Sequence, residues 1–309
     1  MNLNEIIREF LKKGYFIDEE VIKSFSEEEL KIVLSKISKT SKPIKLSKEK
    51  ILEILSLPEK IEIVNLARKG EVSMIEVSKI IKERYDYFYN LLVNKTFLPI
   101  VSINKIGKFK NFGIIGLVYG IEGNKIYVED ITGKIAIENI SNKKVWEDSC
   151  CLFVCKKEDN KILCNEIIYP ELTFSSFERE IVITFNKESS SKNLNAIIYD
   201  KEVKIEENRV YLNFEVQPCF QVKINNSLIV FIDLNKVSFD LETIKKTRLI
   251  ETKIEKTIKY GRDIFLLKES PSVFVLIGKE TKIIEKEPFV VEISENVILD
   301  SRKKEIINI

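Results

Sequence analysis

Residues 112–170 decide the fold and read FGIIGLVYGIEGNKIYVEDITGKIAIENISNKKVWEDSCCLFVCKKEDNKILCNEIIYP. Runs rich in Ile, Val and Tyr alternate with gaps that hold Gly, Asn or Asp, as strands alternate with tight turns. The runs are Ile114–Ile121, Lys125–Glu129, Lys134–Ile140, Leu152–Cys155 and Lys161–Ile168. Five short strands, the first with glycines where a barrel strand bends, predict a five-stranded Greek-key barrel of the OB type over 108–172. Another small β-barrel or a meander is the alternative.

Charge and hydropathy predict a soluble protein whose small net charge creates only a weak electrostatic field. The 309 residues carry 50 Lys and Arg against 48 Asp and Glu, and 44% are hydrophobic. A net charge of +2 attracts neither DNA nor an anionic membrane strongly, so any nucleic-acid contact must be local. No apolar run approaches the roughly 20 residues of a membrane span, and the first residues lack the regions of a signal peptide. We expect a cytoplasmic protein of two or three domains with no membrane partner.

The sequence contains no histidine. Histidine is the commonest metal ligand and the one side chain whose unperturbed pKa lies near neutrality. Its absence excludes His-containing zinc sites, dinuclear metal sites with imidazole ligands and the Ser-His-Asp triad. Catalysis by carboxylates, lysine or cysteine alone stays open, and we expect no cofactor.

Residues 1–58 predict a helical module that ends at Leu57-Pro58. Apolar residues at helical spacing and capping residues indicate four helices. They are Asn4–Tyr15, Asp18–Phe25, Ser26–Ile37 and Ser47–Leu55. The third opens on Ser26 with Glu29 three residues later, which resembles a capping box.

Residues 59–107 predict a connector between this module and the barrel. Lys60–Leu66 alternates as a short strand does, and Ser73–Leu92 predicts a helix (residues 73–92) with one apolar side. This helix carries an aromatic cluster of Tyr85, Tyr87, Phe88 and Tyr89. The cluster suits either a stacking platform for bases or packing of the helix on the barrel, and the spacing favours packing.

Four of the five cysteines lie close together in the barrel stretch. Cys150, Cys151, Cys155 and Cys164 invite a zinc site, but their spacing departs from the paired C-x₂₋₄-C pattern of structural zinc. Cysteine is also a frequent buried apolar residue, and these four sit among strand residues. We expect free thiols in a reducing compartment.

Residues 173–309 are mainly β in pattern, so the whole chain is α+β and mostly β. The predicted strands are Ile181–Phe185, Ala196–Tyr199, Arg209–Phe214, Phe220–Ile224, Leu228–Leu234, Asp263–Leu267, Val273–Ile277 and Phe289–Ile293. Asn225-Asn226 predicts a hairpin turn between two of them. Leu241–Tyr260 is the one candidate for a substantial helix, and its β-branched residues weaken that prediction. We expect few helices to cover the sheets.

The order of these pieces resembles the small subunit of archaeal family D DNA polymerase. In that family a helix with an Arg-Tyr pair leads into an OB fold that ends in a phrase like DEIIYPDIP. Here the helix reads ERYDYFYNLLVNK at 83–95, with the pair Arg84-Tyr85, and the later phrase reads NEIIYPEL at 165–172. Residues 73–172 carry the resemblance, while residues 1–60 agree in helical character and position only. The eukaryotic B-subunits of replicative polymerases share the plan of OB fold plus phosphodiesterase domain.

The resemblance implies that residues 173–309 form a calcineurin-like phosphodiesterase domain, degenerate and shortened. Asp233-Leu234 falls where the family has a His-Gly pair after paired strands, and Gly278, Lys279 and Glu280 replace the family's histidine pair. The D-x-H-x-G and G-N-H-D ligand sets have no counterparts. A two-metal phosphodiesterase needs a nest of ligands around both ions, so the resemblance implies a fold that has lost its exonuclease site.

The resemblance also implies a function and partners. The chain is expected to be no enzyme by itself but a non-catalytic subunit of a DNA-directed DNA polymerase, acting in DNA replication. Its expected partners are the large catalytic subunit of the family D polymerase, in a heterodimer, and DNA within that complex. The sliding clamp or the primase is a candidate partner of the N-terminal module.

Two other classes of function stay open. The first is a stand-alone single-stranded nucleic-acid-binding OB protein, which needs a basic and aromatic barrel face. The barrel stretch offers four candidate DNA-binding lysines and three aromatic residues, namely Lys125, Lys134, Lys143, Lys144, Tyr119, Tyr127 and Trp146. The second is a hydrolase with an unfamiliar site, which the missing histidines disfavour.

The apolar strands of the C-terminal part lead to an expectation about the interface. With few covering helices, Leu228–Leu234 and Val273–Ile277 are expected to leave apolar surface for an obligate partner. The chain made alone is therefore expected to be poorly soluble.

Overall fold

The protein is described by a computed structural model over most of its length. The described residues are 3–37, 40, 42–56, 60–67, 72–175, 180–185, 194–198, 203–206, 209–225 and 227–309. The expected module end at Leu57-Pro58, the boundary between residues 58 and 59, and the turn residue Asn226 lie outside them.

The N-terminal module is mainly helical and has its own apolar core. Its elements are α1 (Leu3–Lys12), β1 (Tyr15–Ile17), α2 (Glu19–Ile22), α3 (Glu27–Lys36), β2 (Ile44–Leu46) and α4 (Lys48–Ser56). Ser26 caps α3 as predicted, since its hydroxyl accepts from Glu29 N at 3.2 Å and its N–H donates to the Glu29 carboxylate at 2.8 Å. The second helix is a single turn, and the parallel pair β1–β2 was not predicted from the sequence.

The connector holds β3 (Ile61–Ile63), α5 (Met74–Leu92) and a 3₁₀ turn at Ile103–Lys108. A second capping box, between Ser73 and Glu76, begins α5. Tyr85 and Phe88 of α5 are buried against Ile115, Leu117 and Leu152. The prediction that this aromatic cluster packs the helix on the barrel is confirmed for these two residues.

A closed five-stranded barrel follows. Its strands are β4 (Asn111–Glu122), β5 (Lys125–Asp130), β6 (Gly133–Asn139), β7 (Cys150–Glu158) and β8 (Lys161–Ile168). They close in the order β4-β5-β6-β8-β7, with β6 and β8 parallel and every other pair antiparallel. The long strand β4 pairs with β7 through its first half and with β5 through its second half, which closes the barrel. This is the OB arrangement, and the prediction of such a barrel is confirmed.

A glycine allows β4 to approach its neighbour β5 closely. A Cβ on Gly116 would lie 2.3 Å from Val128 Cγ1 and 2.8 Å from the carbonyl oxygen of Glu129. No side chain fits there, so the backbones of β4 and β5 approach closely at this point.

All five cysteines are free and buried. Cys151, Cys155 and Cys164 belong to the barrel core, where Cys155 and Cys164 face each other across β7 and β8. They behave as small apolar residues of the core, in agreement with the prediction from the sequence.

The C-terminal part is a sandwich of two six-stranded sheets. Its elements are β9 (Glu180–Phe185), β10 (Leu194–Ile198), β11 (Lys204–Glu206), β12 (Arg209–Leu212), β13 (Cys219–Ile224), β14 (Ser227–Asp233), α6 (Leu241–Thr247), α7 (Ile254–Ile258), β15 (Pro271–Ile277), β16 (Lys282–Glu285), β17 (Phe289–Ile293), β18 (Val297–Asp300) and β19 (Glu305–Asn308). The sheet orders are β11-β12-β10-β9-β18-β19 and β16-β17-β15-β14-β13-β3, and the main core lies between them.

The second sheet takes its last strand from the connector. Ile61 and Ile63 of β3 pair antiparallel with Ile224 and Val222 of β13. The predicted strand within Lys60–Leu66 is therefore real, but it belongs to the C-terminal sandwich.

Two sequence predictions in this part are wrong. Leu241–Tyr260 is not one helix, because Arg248 takes a left-handed φ of 58° and ends α6, before α7 begins at Ile254. Asp263–Leu267 is not a strand and makes only an isolated bridge through Leu266. At the end of α6 the backbone follows buried contacts of Arg248. Within 263–267 the carbonyls of Ile264 and Leu266 accept hydrogen bonds from the buried side chains of Asn65 and Gln221. Local sequence encodes neither set of contacts.

The expectation of uncovered apolar strands is also wrong. Ile229 and Phe231 of β14 face the core between the two sheets. Val230 and Ile232, on the opposite face, are covered by Ile244 of α6 and its neighbours. All four β14 side chains are completely buried within the chain. Short helices and loops thus cover the apolar strand faces that were expected to be exposed. Among the described residues, no helix is long and apolar enough to cross a membrane.

Candidate functional site

The structure divides the four candidate DNA-binding lysines into two pairs at separate places. Lys125 and Lys134 lie on the outer face of the barrel, on β5 and β6. Lys143 and Lys144 lie in the loop between β6 and β7. The four lysines therefore do not form a single basic surface, and the two pairs have different surroundings.

The outer face of β5 and β6 corresponds to the surface that OB folds commonly use for ligands. Lys134 Nζ pairs with Glu129 at 2.9 Å and stands 4.4 Å from the Tyr119 ring centre. Lys161 likewise pairs with Glu138 at 2.9 Å. Adjacent carboxylates thus neutralise Lys134 of β6 and Lys161 of β8, which weakens the attraction of this part of the barrel for phosphates.

Two tyrosines lie on the same face. Tyr119 and Tyr127 have ring centres 5.8 Å apart, and the Tyr127 hydroxyl donates to Glu122 at 2.7 Å. That hydrogen bond raises the pKa of Tyr127. The rings could stack with a base, but the surrounding charges are balanced.

The second pair of lysines is held in a structured loop. Asn139 organises it, since its side-chain oxygen accepts from Ser141 N at 3.0 Å and its amide donates to the Lys143 carbonyl at 2.9 Å. Lys143 Nζ donates to the carbonyl of Ile167 at 2.9 Å, and Lys144 Nζ lies 5.1 Å from the Trp146 ring centre. These lysines therefore lie beside an aromatic surface at the end of β8.

The Arg84-Tyr85 pair joins the barrel to the sandwich. Arg84 is completely buried, and its Nε donates to Asp263 Oδ2 at 2.6 Å. The same guanidinium donates to the carbonyls of Thr252 at 2.8 Å and Asp148 at 3.3 Å, which belong to the sandwich and to the barrel loop. Tyr85 donates to the Ile115 carbonyl of β4 at 3.3 Å. The sequence singled out Arg84 by resemblance, while no pattern pointed to Asp263.

A second arginine strengthens this junction. Arg248 Nε donates to the carbonyls of Pro170 at 2.8 Å and Glu171 at 3.1 Å, at the end of the barrel segment. Its Nη1 donates to the Tyr87 hydroxyl at 3.1 Å. This buried contact explains why α6 ends at Arg248. It also fixes the chain segment Tyr169–Glu171 against the sandwich.

The four positions that the resemblance assigns to a lost metal site, Asp233, Gly278, Lys279 and Glu280, lie at one edge of the second sheet. Asp233 ends β14, and Gly278, Lys279 and Glu280 follow β15, its parallel neighbour. Leu234 N donates to the Ile277 carbonyl at 3.0 Å, which continues the pairing past both strand ends. Carboxyl ends of parallel strands are where open α/β sheets usually place ligands.

A glutamate that no sequence pattern indicated occupies this edge. Glu292 of β17 accepts from Lys279 N at 3.0 Å and Glu280 N at 3.4 Å. Burial disfavours its charge, but these N–H groups and Lys282 hold the pKa of Glu292 below its ordinary value. A Cβ on Gly278 would lie 2.1 Å from Glu292 Oε1, so the glycine makes room for this carboxylate.

These residues do not fit a two-metal site. Asp233 Oδ1 accepts from the backbone and side-chain nitrogens of Asn235, both at 3.0 Å. Glu292 is engaged by backbone amides and by Lys282 at 3.4 Å. Within the part of the chain that the structure describes, no three His, Cys, Asp or Glu side chains form a group suited to a metal ion. The carboxylates at this edge are thus committed to hydrogen bonds within the protein and do not form the ligand nest that two ions require.

Comparison with known proteins adds a likeness of limited extent. No protein-family model and no curated protein matches the sequence. A crystal structure of the telomere capping protein Ten1 from Saccharomyces pombe matches with 14% identity and a TM-score of 0.21, covering 23% of this chain and 78% of that one. A crystal structure of the S. pombe Stn1-Ten1 complex matches with 13% identity and a TM-score of 0.20, covering 24% and 77%. Likenesses of this size say nothing about the function of this chain.

Proposed function

We propose that this chain is a non-catalytic accessory subunit of a family D type DNA polymerase, which binds and scaffolds the large catalytic subunit. The proposal combines the Arg-Tyr helix, the OB barrel and the β-sandwich, which occur in the chain order of that polymerase's small subunit. The sandwich is proposed to be a degenerate relative of the calcineurin-like phosphodiesterase domain.

One observation carries the proposal. Arg84-Tyr85, one of the several matches that carry the resemblance, forms the buried junction between the barrel and the sandwich. A motif that resembles a family only by chance has no reason to occupy the contact that joins its two domains. The parallel strands β14, β15 and β17 support the same relationship, because they bring the former metal-site positions to one edge.

The state of that edge supports a subunit without exonuclease chemistry. Asp233 is engaged by Asn235, and Gly278 accommodates the Glu292 carboxylate in place of a metal ligand. A chain that keeps this fold without the ligands retains a framework on which another protein can assemble.

The test is co-expression with the large subunit of a family D polymerase from the same genome. We expect the two chains to co-elute in size-exclusion chromatography and primer extension by the large subunit to increase. The large subunit alone and the large subunit with an unrelated OB protein are the controls. Separate elution together with unchanged primer extension would contradict the proposal.

The absence of nuclease activity is tested separately. The purified chain, incubated with Mn²⁺ and single-stranded DNA, should produce no 3′–5′ degradation products above a buffer control. Degradation that a single substitution such as Asp233→Asn abolishes would show that the chain has a nuclease site of its own and is not a non-catalytic subunit.

A second candidate function is binding of single-stranded nucleic acid by the chain itself. The specific observation in its favour is the loop that places Lys143 and Lys144 beside Trp146. Proteins that bind single-stranded nucleic acid contact its phosphates with basic side chains and stack its bases on aromatic rings. The two functions are compatible, since an accessory subunit can also guide DNA.

A further inference from the structure

A cleft of about 380 Å³ opens where β8 leaves the barrel and meets α6. Its basic and aromatic lining residues come from four parts of the chain and are Lys95, Lys143, Lys144, Trp146, Tyr169 and Lys246. The volume lies within the range of ordinary ligand sites, about 300–1,000 Å³. Lys143, Lys144 and Trp146 were candidates from the sequence, whereas Lys95, Tyr169 and Lys246 were not, because the fold alone brings them there.

The aromatic part of the cleft is rigidly held. Tyr169 donates its hydroxyl hydrogen to the Lys144 carbonyl at 2.6 Å, and its ring meets the Trp146 ring edge-on with centres 6.1 Å apart. Lys246 lies 5.2 Å from the Tyr169 ring centre, which adds a cation–π contact. Trp146 is only half-buried, so part of its ring is open to the cleft.

The lysines of the cleft are less neutralised than those of the outer barrel face. Among the described residues, neither Lys95, Lys143 nor Lys144 has a carboxylate within ion-pair distance, while Lys246 pairs with Glu171 at 3.0 Å. Glu166 and Glu242 also line the cleft, so the basic excess is small. The site can attract phosphates, but only with modest strength.

We propose that this cleft binds single-stranded nucleic acid, with a base against Trp146 and phosphates at Lys95, Lys143 and Lys144. The proposal rests on the second candidate function and gives it a location away from the β5–β6 face. The lysines neutralise phosphate charge, and the aromatic surface offers stacking that tolerates any base. Three phosphate contacts predict that log Kd changes by about 2 per tenfold change in salt, since each contact with a single strand contributes about 0.7.

Trp146 is the only tryptophan in the chain and therefore reports directly on the cleft. We expect the fluorescence of the full-length protein to be quenched when a short oligothymidylate is added at low salt. The titration should saturate, and added salt should reverse it. An absence of quenching at micromolar protein and excess oligonucleotide would overturn the proposal.

Two matched variants locate the binding. Lys143→Glu with Lys144→Glu should weaken oligothymidylate binding by at least about tenfold, because two phosphate contacts become repulsive. Lys125→Glu with Lys134→Glu makes the same change of charge on the outer barrel face and should leave binding nearly unchanged. Anisotropy of a labelled oligonucleotide measures both, and circular dichroism verifies that both are folded. A larger loss in the outer-face variant would contradict the proposal.

Polyglutamate is the competing ligand to exclude. If it quenches Trp146 as strongly as oligothymidylate at equal charge, the cleft is a site for acidic peptides and the proposal is wrong. The outcome is separable from that of the polymerase test. Co-elution with the large subunit does not require the cleft, and quenching by oligothymidylate does not require the large subunit.

Discussion

Arg84 has no exposed surface, yet it carries a permanent charge. Asp263 compensates that charge, and two backbone carbonyls and Thr257 accept further hydrogen bonds. Removing either partner of a buried ion pair leaves the other charge without compensation. Within the described part of the chain, Asp263 Oδ1 has no hydrogen-bond partner, so no second donor would compensate the Asp263 charge if Arg84 were removed.

Replacing Arg84 by Ala should therefore lower the free energy of unfolding by about 3–5 kcal/mol. Urea unfolding followed by circular dichroism measures this. Lys79→Ala, on the same helix, is the control, since it removes an exposed pair with Glu83 at 3.9 Å and should cost less than about 1 kcal/mol. Equal losses in the two variants would show that Arg84 does not hold the junction.

The barrel thiols predict a dependence of stability on alkaline pH. Burial raises the pKa of Cys151 to about 12 in the folded protein, whereas an unfolded thiol ionises near pH 8.5. Between these values the unfolded state binds fewer protons than the folded state. The stabilisation is fully present below about pH 8.5 and is lost as the pH rises toward 12.

Denaturant unfolding at pH 8 and pH 10 should show this loss, and Cys151→Ala should reduce it. Lys125→Ala, an exposed substitution on the same barrel, should lose as much stability between pH 8 and pH 10 as the unaltered protein does. If Cys151→Ala shows the same dependence as the unaltered protein, other groups control alkaline stability.

At the scale of elements, β4 depends on a glycine where it crosses β5. Gly116→Ala should destabilise the protein by about 1–3 kcal/mol, because its Cβ would overlap Val128 and the backbone of Glu129. Gly120→Ala, on the same strand, is the control, since its Cβ would lie 3.6 Å from Tyr127 Cδ2, an ordinary contact. Thermal denaturation should show a clear fall in Tm for the first and little change for the second.

The barrel was predictable because its signals are local. Turns such as Glu122–Asn124 directly follow and precede the apolar runs that form the strands. The helix cap at Ser26 and Glu29 in the N-terminal module was predictable for the same reason. By contrast, the end of α6 at Arg248 depends on the carbonyl of Pro170, far away in the chain. No periodicity within a helix reports such a contact.

The candidate site was predictable only in part, for the same reason. The individual lysines could be named from the sequence. Their partners could not, because only the closed barrel brings Lys134 into an ion pair with Glu129 and lets Lys143 donate to the Ile167 carbonyl of β8. Likewise, Gly278 was visible as a departure from the family's histidines. The sequence did not show that the Glu292 side chain lies beside Gly278, because this contact depends on the parallel pairing of β15 and β17.

At the scale of the whole molecule, the N-terminal module is separable from the rest. Its core is formed by residues of 3–55 alone, with Ile6, Phe10, Leu30 and Ile51 nearly or completely buried. The barrel and sandwich have their own cores, which contain none of these residues.

Deletion of residues 1–58 should therefore leave the barrel and sandwich folded, with their own cooperative transition in thermal denaturation. The full-length chain should show the same transition at nearly the same temperature. Fragment 1–58 expressed alone supplies the complementary measurement, and it should have a helical circular dichroism spectrum. Loss of structure in the fragment from residue 59 onward would show that the module stabilises the rest.

Pairing of β3 with β13 has a consequence for how the chain is made. Ile61 leaves the ribosome long before its partner Ile224, and at about 5–20 residues per second the wait is on the order of ten to thirty seconds. During that time the module and the barrel can fold, since their contacts are local. β9 also waits, for roughly 110 residues, because β18, one of its neighbours in the sheet, comes near the end of the chain. The nascent protein thus carries unpaired strand edges through most of its translation, and these edges are where a holding chaperone would bind.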